Sequence, residues 1–131
     1  MAWKNYQELI VWQRAMELAA EVYQVVKKLP KEELFSLSDQ MRRSAVSIPS
    51  NIAEGQARST KKEFVRFLAI ALGSKSELET QLLLSVKVGY LHDSDIEKAI
   101  GLLTETGKLL SALLHSQRSA TREASGLSRS S

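Results

Sequence analysis

Residues 9–30, LIVWQRAMELAAEVYQVVKKLP, carry two neighbouring apolar stripes at the three- and four-residue spacing of a helix. The first stripe is Leu9, Trp12, Met16, Ala19, Tyr23 and Val26, and the second is Val11, Ala15, Leu18, Val22, Val25 and Leu29. A helix on the surface of a small domain needs only one apolar stripe, about 100° wide. The pattern therefore predicts a helix over residues 6–28 that is either central in the fold or buried again in an oligomer, with Pro30 ending it.

A second helix is predicted over residues 37–57, with an apolar seam at the same spacing. Pro49 in its middle predicts a kink or a restart, because proline removes a backbone donor and crowds the preceding turn. Gly55 near its end predicts either a close approach of another helix or a C-terminal cap.

A third helix is predicted over residues 60–88, because TKKE at 60–63 fits a capping box and Gly89 fits the position after a helix end. A second capping box, SDIE at 94–97, predicts the start of a fourth helix. Four helices with short connections predict an all-α fold, an antiparallel up-down-up-down four-helix bundle.

The composition is that of one ordinary globular domain, with 131 residues, 44% hydrophobic and 25% charged. Residues 1–116 are predicted to form the bundle, and residues 117–131 are a Ser- and Arg-rich tail that we expect to be disordered. The sequence shows no signal peptide and no run of roughly 18 apolar residues that could span a membrane. We therefore expect a cytoplasmic protein, and the absence of cysteine is compatible with that.

Polar residues interrupt the apolar stripes of the second and third predicted helices. This set, which we call the polar layer, comprises Ser47, Asn51, Glu54, Ser74, Glu77 and Gln81, and Ser44 continues its spacing. One interpretation is a hydrogen-bonded layer inside the bundle or between subunits, since such layers fix register or oligomeric state. The other interpretation is that these stripes simply face solvent.

A basic cluster lies between residues 42 and 66. It comprises Arg42, Arg43, Arg58, Lys61, Lys62 and Arg66, against two carboxylates, Glu54 and Glu63, in a chain whose net charge is only +3. Cations beside the free amides of a helix start attract phosphate, so the cluster is a candidate nucleic-acid-binding surface. Two alternatives stay open: a solvated helix end with ordinary ion pairs, or pairing of Arg42 and Arg43 with carboxylates of the polar layer.

Patterns typical of catalysis are missing from the sequence. The two histidines, His92 and His115, lack the spacing of zinc or di-iron ligands, and no glycine-rich phosphate loop is present. We predict no catalytic residue, no metal and no cofactor, and we do not expect Glu54, Glu77 and Glu79 to hold a metal ion.

The run RRSAVSIPSNIAEG at residues 42–55 resembles a known protein family, as do LIVWQRA at 9–15, ELETQL at 77–82 and GYL at 89–91. These are the bacterial four-helix bundle proteins encoded in intervening sequences of 23S ribosomal RNA genes. The resemblance implies a left-handed antiparallel bundle that assembles as a ring-like homopentamer. It also implies a link to the accessory proteins of diversity-generating retroelements, which bind a reverse transcriptase and nucleic acid.

The sequence and the resemblance together favour a non-catalytic homo-oligomeric bundle that binds RNA or DNA through its basic surface. The alternative is a protein-interaction scaffold, or accessory subunit, that recruits a protein partner such as a reverse transcriptase. Co-purification and nucleic-acid titration distinguish the two hypotheses.

Overall fold

The computed structural model describes residues 5–130, with side chains described over residues 5–119. Four α-helices follow one another along the chain: α1 (Ile10–Val26), α2 (Leu37–Gln56), α3 (Lys61–Lys87) and α4 (Asp93–Ser130). Short 3₁₀ turns at Tyr6–Glu8 and Lys31–Glu33 precede α1 and α2. No β-strand occurs between residues 5 and 130, so the predicted all-α class is confirmed.

The helices pack as neighbours around one core, with α1 against α2 and α4, and α3 against α2 and α4. Each helix contributes fully buried side chains to that core, among them Leu18, Ile48, Leu78 and Leu103. Ser44 contacts Glu77 and Ser47 contacts Ser74, so α2 and α3 run antiparallel, as expected of neighbours joined by a short turn. The arrangement agrees with the predicted four-helix bundle.

The two apolar stripes of α1 have different surroundings. The stripe containing Ala15, Leu18 and Val22 is completely buried in the core. In the other stripe, Met16 and Tyr23 remain 45% and 44% exposed. Within one chain α1 is therefore not a central helix, and the middle of this stripe faces outwards.

α2 continues through Pro49 without a break, so the predicted restart is wrong. Pro49 is itself buried, and its neighbours Ile48 and Ile52 are fully buried in the core. Packing on both sides of the proline thus holds the two turns in one helix, although a backbone hydrogen bond is lost.

The ends of α3 follow the sequence signals. Thr60 Oγ1 accepts a hydrogen bond from the N–H of Glu63 at 3.2 Å, and Gly89 adopts φ +87° after the C-terminus. The start of α4 differs from the predicted capping box, because the helix begins at Asp93 rather than after Ser94. The N–H of His92 donates to Asp95 Oδ2 at 2.8 Å, so a carboxylate satisfies this helix start.

α4 is helical to Ser130, beyond the predicted end of the bundle domain at residue 116. The predicted tail, residues 117–131, lies almost entirely outside the residues whose side chains are described, and residues 1–4 lie outside the described residues altogether. The domain boundary and the disorder of the tail therefore stay predictions. Among the described residues, no helix has both the length and the apolar character of a membrane span.

Candidate functional site

The turn between α2 and α3 is built on a close approach of the two helices at Gly55. A Cβ atom at this position would lie 2.7 Å from Cβ of Phe67 and 3.1 Å from Cδ1 of Phe64. Any larger residue would push α3 away from α2, so the glycine sets the position of Phe67. Of the two predicted roles for Gly55, the structure shows the close approach.

Four cations surround this turn, and we call them the basic corner: Arg58, Lys61, Lys62 and Arg66. The guanidinium of Arg58 pairs with Glu54 at 2.7 Å and lies over the ring of Phe67, 4.8 Å from its centre. The guanidinium of Arg66 lies 5.9 Å from the centre of the same ring. Lys61 and Lys62 are exposed, and neither forms an ion pair with any side chain in residues 5–119.

Arg42 and Arg43 do not belong to the basic corner. They lie near the start of α2, sixteen and fifteen residues before Arg58, which is roughly 22–24 Å along the helix axis at 1.5 Å per residue. Arg42 donates to the backbone carbonyl of Leu34 at 3.3 Å, and Arg43 pairs with Asp39 at 3.0 Å. The predicted six-residue surface is thus two separate groups, because a count along the sequence ignores the rise of the helix.

The polar layer forms hydrogen bonds between α2 and α3. Ser47 Oγ lies 2.7 Å from Ser74 Oγ, and Asn51 Nδ2 donates to Ser47 Oγ at 2.9 Å. Ser44 Oγ donates to Glu77 Oε1 at 3.0 Å. The structure therefore brings Ser47, Asn51 and Ser74 together, with Glu77 one turn away. Glu54 is not part of this network, since it pairs with Arg58.

Gln81 is the exception within the polar layer. Its side chain is only 8% exposed, and its Oε1 atom has no hydrogen-bond partner among the described residues. It lines a surface groove of about 330 Å³ with Gln40, Arg43, Ser44, Ser47 and Glu77. A buried carbonyl without a donor costs about 1–3 kcal/mol.

A second, apolar groove of about 450 Å³ lies between α1 and α2. It is lined by Tyr6, Trp12, Met16, Ala19, Ala20, Tyr23, Val46, Pro49, Ser50 and Ala53. Tyr6 and Trp12 meet edge to face, with ring centres 5.3 Å apart. This apolar groove contains the exposed stripe of α1 and extends it onto α2.

Phe67 was not among the residues predicted for the basic surface. Its ring is half-buried and has two guanidiniums close to it, Arg58 at 4.8 Å and Arg66 at 5.9 Å from the ring centre. The detectable signal was the pair Arg66-Phe67 opposite Gly55 across a short turn, since a glycine in a helix often marks a close approach.

The groups with clearly shifted pKa values among the carboxylates lie away from the basic corner. The hydroxyl of Ser36 donates to Glu33 and lowers the pKa of that carboxyl, and the N–H of His92 lowers the pKa of Asp95. Both carboxylates stabilise helix starts at the opposite end of the bundle. No group of three potential metal ligands occurs in the part of the chain that the structure describes, and Glu79 is paired with Lys75 at 3.1 Å.

The same architecture occurs in a known protein structure. A solved structure from Bacteroides thetaiotaomicron VPI-5482, described as a protein with unknown function from the S23 ribosomal protein family, is 29% identical. The match covers 80% of this chain and 98% of that chain, with a TM-score of 0.74. None of the curated proteins matches the chain. The sequence pattern of the family described as "23S rRNA-intervening sequence protein" matches residues 7–112. The chain therefore belongs to the 23S rRNA-intervening sequence protein family.

Proposed function

We propose that this protein is a non-catalytic, self-associating helical bundle that binds RNA or DNA through the basic corner. The observation that carries the proposal is the convergence of Arg58, Lys61, Lys62 and Arg66 on one turn. Lys61 and Lys62 are exposed and have no ion-pair partner within residues 5–119. They are therefore available to replace the counterions of a phosphate backbone.

The backbone at the same position adds to this attraction. α3 begins at Lys61, and only the N–H of Glu63 in its first turn is capped by the Thr60 side chain. The remaining free N–H groups and the helix dipole place roughly half a positive charge at this end of α3. Glu63 opposes it, while the negative charge of Glu54 is already paired with Arg58.

The family description supports RNA as the first ligand to test, because it connects these proteins with sequences that interrupt 23S ribosomal RNA. The structural neighbour is described as having unknown function, so it adds no ligand of its own.

The experiment is a titration of labelled RNA and DNA, hairpin and duplex, at a series of salt concentrations. We expect the double variant Lys61→Gln with Lys62→Gln to bind more weakly and to lower the log–log salt slope by roughly 1.4–1.8, which corresponds to two lost phosphate contacts. The matched control is Lys31→Gln with Lys87→Gln, which removes the same charge from exposed positions at the other end of the bundle. Absence of binding at low salt, or equal weakening in both double variants, would refute the proposed site.

Self-association is supported by two surfaces that a single chain leaves uncovered. One is the apolar groove between α1 and α2, and the other is the α2–α3 face that contains the unpaired Gln81. A closed ring needs two different surfaces on each subunit, because each subunit contacts its neighbours head to tail. A donor from a neighbouring copy would satisfy Gln81, and an apolar surface would fill the groove.

Light scattering tests self-association directly. We expect a mass that is a multiple of the 14.6 kDa chain at micromolar concentration, and the resemblance makes five copies the expected number. A monomer under these conditions would contradict this part of the proposal without affecting the nucleic-acid site.

The apolar groove also supports a second candidate function, an accessory subunit that recruits a protein partner such as a reverse transcriptase. Its exposed aromatic and methionine side chains are residue types enriched at protein interfaces. This alternative predicts weak nucleic-acid affinity for the isolated protein and a specific protein that co-purifies from the native host.

A further inference from the structure

The aromatic ring at the centre of the basic corner distinguishes this site from a simple patch of charge. Phe67 packs closely against Gly55 of α2, and the guanidinium of Arg58 lies over the Phe67 ring, 4.8 Å from its centre. The position of the guanidinium is fixed twice, by the ring and by the 2.7 Å pair with Glu54. The Arg58 side chain is nevertheless 41% exposed, so part of the guanidinium stays open to solvent.

Arg58 differs from the other three cations in how its charge is used. Its charge is offset by Glu54, whereas Lys61, Lys62 and Arg66 form no ion pair among the described side chains. Arg58 is thus the weakest candidate for phosphate binding and the best-positioned planar group in the corner. A planar guanidinium or aromatic ring at a basic surface is a stacking platform for a nucleobase.

We infer that the basic corner binds unpaired nucleic acid, with a base stacked on the Arg58–Phe67 platform and the flanking phosphates held by Lys61, Lys62 and Arg66. This inference rests on the proposed function and narrows its ligand class. In a duplex both faces of each internal base are already stacked on neighbouring bases, so only a single strand, a loop or a strand end offers a free face.

The test separates the base from the phosphate by comparing two single strands of equal length. One is an oligoribonucleotide, and the other is an abasic strand with the same sugar–phosphate backbone and no bases. The wild-type protein is expected to bind the base-bearing strand at least about fivefold more tightly, which is the low end of the effect of one stacked base. Both strands are expected to show a similar dependence on salt, because they carry the same phosphates.

The variant Arg58→Lys keeps the positive charge but removes the planar group. It is expected to bind the abasic strand as the wild type does and to lose the preference for the base-bearing strand. The matched control is Arg43→Lys, the same substitution at an exposed guanidinium near the start of α2 and outside the basic corner, and it should retain the preference. Both arginines are exposed, so neither change removes buried contacts.

A second measurement uses a strand with 2-aminopurine, whose fluorescence falls when the base stacks. We expect quenching on binding to the wild type and to Arg43→Lys, and much less quenching with Arg58→Lys at saturation. Binding of both strands with equal affinity by the wild type, or an unchanged preference in Arg58→Lys, would overturn the inference while leaving the proposed function intact. Failure of the wild type to bind either single strand at low salt, while it binds duplex, would overturn the inference alone, and failure to bind any of these nucleic acids would overturn the proposed function as well.

Discussion

Ser47 Oγ lies 2.7 Å from Ser74 Oγ, and this contact joins α2 to α3 at the middle of the polar layer. Asn51 Nδ2 also donates to Ser47 Oγ at 2.9 Å, and either serine hydroxyl can donate to the other. The three side chains thus form a short chain of hydrogen bonds in a half-buried position.

Replacing Ser74 with Ala is expected to lower the free energy of unfolding by about 1 kcal/mol, because it removes one hydrogen bond from this chain. Ser47→Ala should have a similar effect, and the double variant should lose less than the sum of the two. Urea unfolding of the three variants gives the coupling energy. Strict additivity would show that the two hydroxyls do not interact in solution.

Gly55→Ala is expected to destabilise the fold by about 1–3 kcal/mol, because the new Cβ would lie 2.7 Å from Cβ of Phe67 and would force α3 away from α2. The matched control is Gly101→Ala in α4, where no atom lies within 4 Å of the added Cβ. That change should stabilise the protein by roughly 0.5–1 kcal/mol, since glycine is a poor helix former. Thermal unfolding measures both, and the same sign for the two variants would contradict the close approach at Gly55.

Met16→Glu is expected to dissociate the proposed oligomer, because it places an unpaired charge in the apolar groove between α1 and α2. Since Met16 is 45% exposed in one chain, the isolated subunit should remain folded. Leu83→Glu, at an exposed leucine on α3 that does not line this groove, is the control and should leave the mass unchanged. Light scattering with circular dichroism tests the pair, and an unchanged mass for Met16→Glu would exclude the groove as an interface.

Asp95 makes the stability depend on acidity. Its pKa is lowered in the folded chain by the hydrogen bond from the His92 N–H and by Lys28. As the pH falls through the ordinary carboxyl range, the unfolded chain therefore binds a proton before the folded chain does. The stabilisation by Asp95 is present at neutral pH and is lost as the pH falls through the lowered pKa of the folded state. The free energy of unfolding of Asp95→Asn should fall less than that of the wild type as the pH is lowered, as measured by urea unfolding at several pH values. If the free energies of unfolding of the wild type and the variant fall in parallel as the pH is lowered, Asp95 does not make this contribution.

The sequence pattern predicted where the helices lie but not which side of α1 the other helices cover, and the reason is physical. A three- and four-residue spacing shows that the α1 side chains Leu18 and Met16 lie on apolar stripes, but not which stripe meets the other helices. The bundle buries Leu18 completely and leaves Met16 exposed, because α2 and α4 both pack on the Leu18 side. Choosing between the stripes requires the tertiary packing that the pattern itself does not contain.

The candidate site shows the same limit. Counting charges along residues 42–66 joined Arg42 to Arg58, although a helix of that length separates them by roughly 24 Å. The spacing of Ser47, Asn51 and Ser74 did identify side chains that meet, since α2 and α3 are adjacent along their length. Phe67 was not among the predicted site residues, and only the packing at Gly55 shows that two arginines lie beside its ring.

The short turn between α2 and α3 has a consequence for the order of folding. Only residues 57–60 separate these helices, whereas residues 27–36 separate α1 from α2. Closing the shorter loop costs less chain entropy, so the α2–α3 hairpin, and with it the basic corner, is expected to form before α1 docks. Pulsed hydrogen exchange during refolding should show early protection of amides in α2 and α3. The chain would then hold its candidate nucleic-acid surface before it completes the apolar groove between α1 and α2 that we propose as an interface.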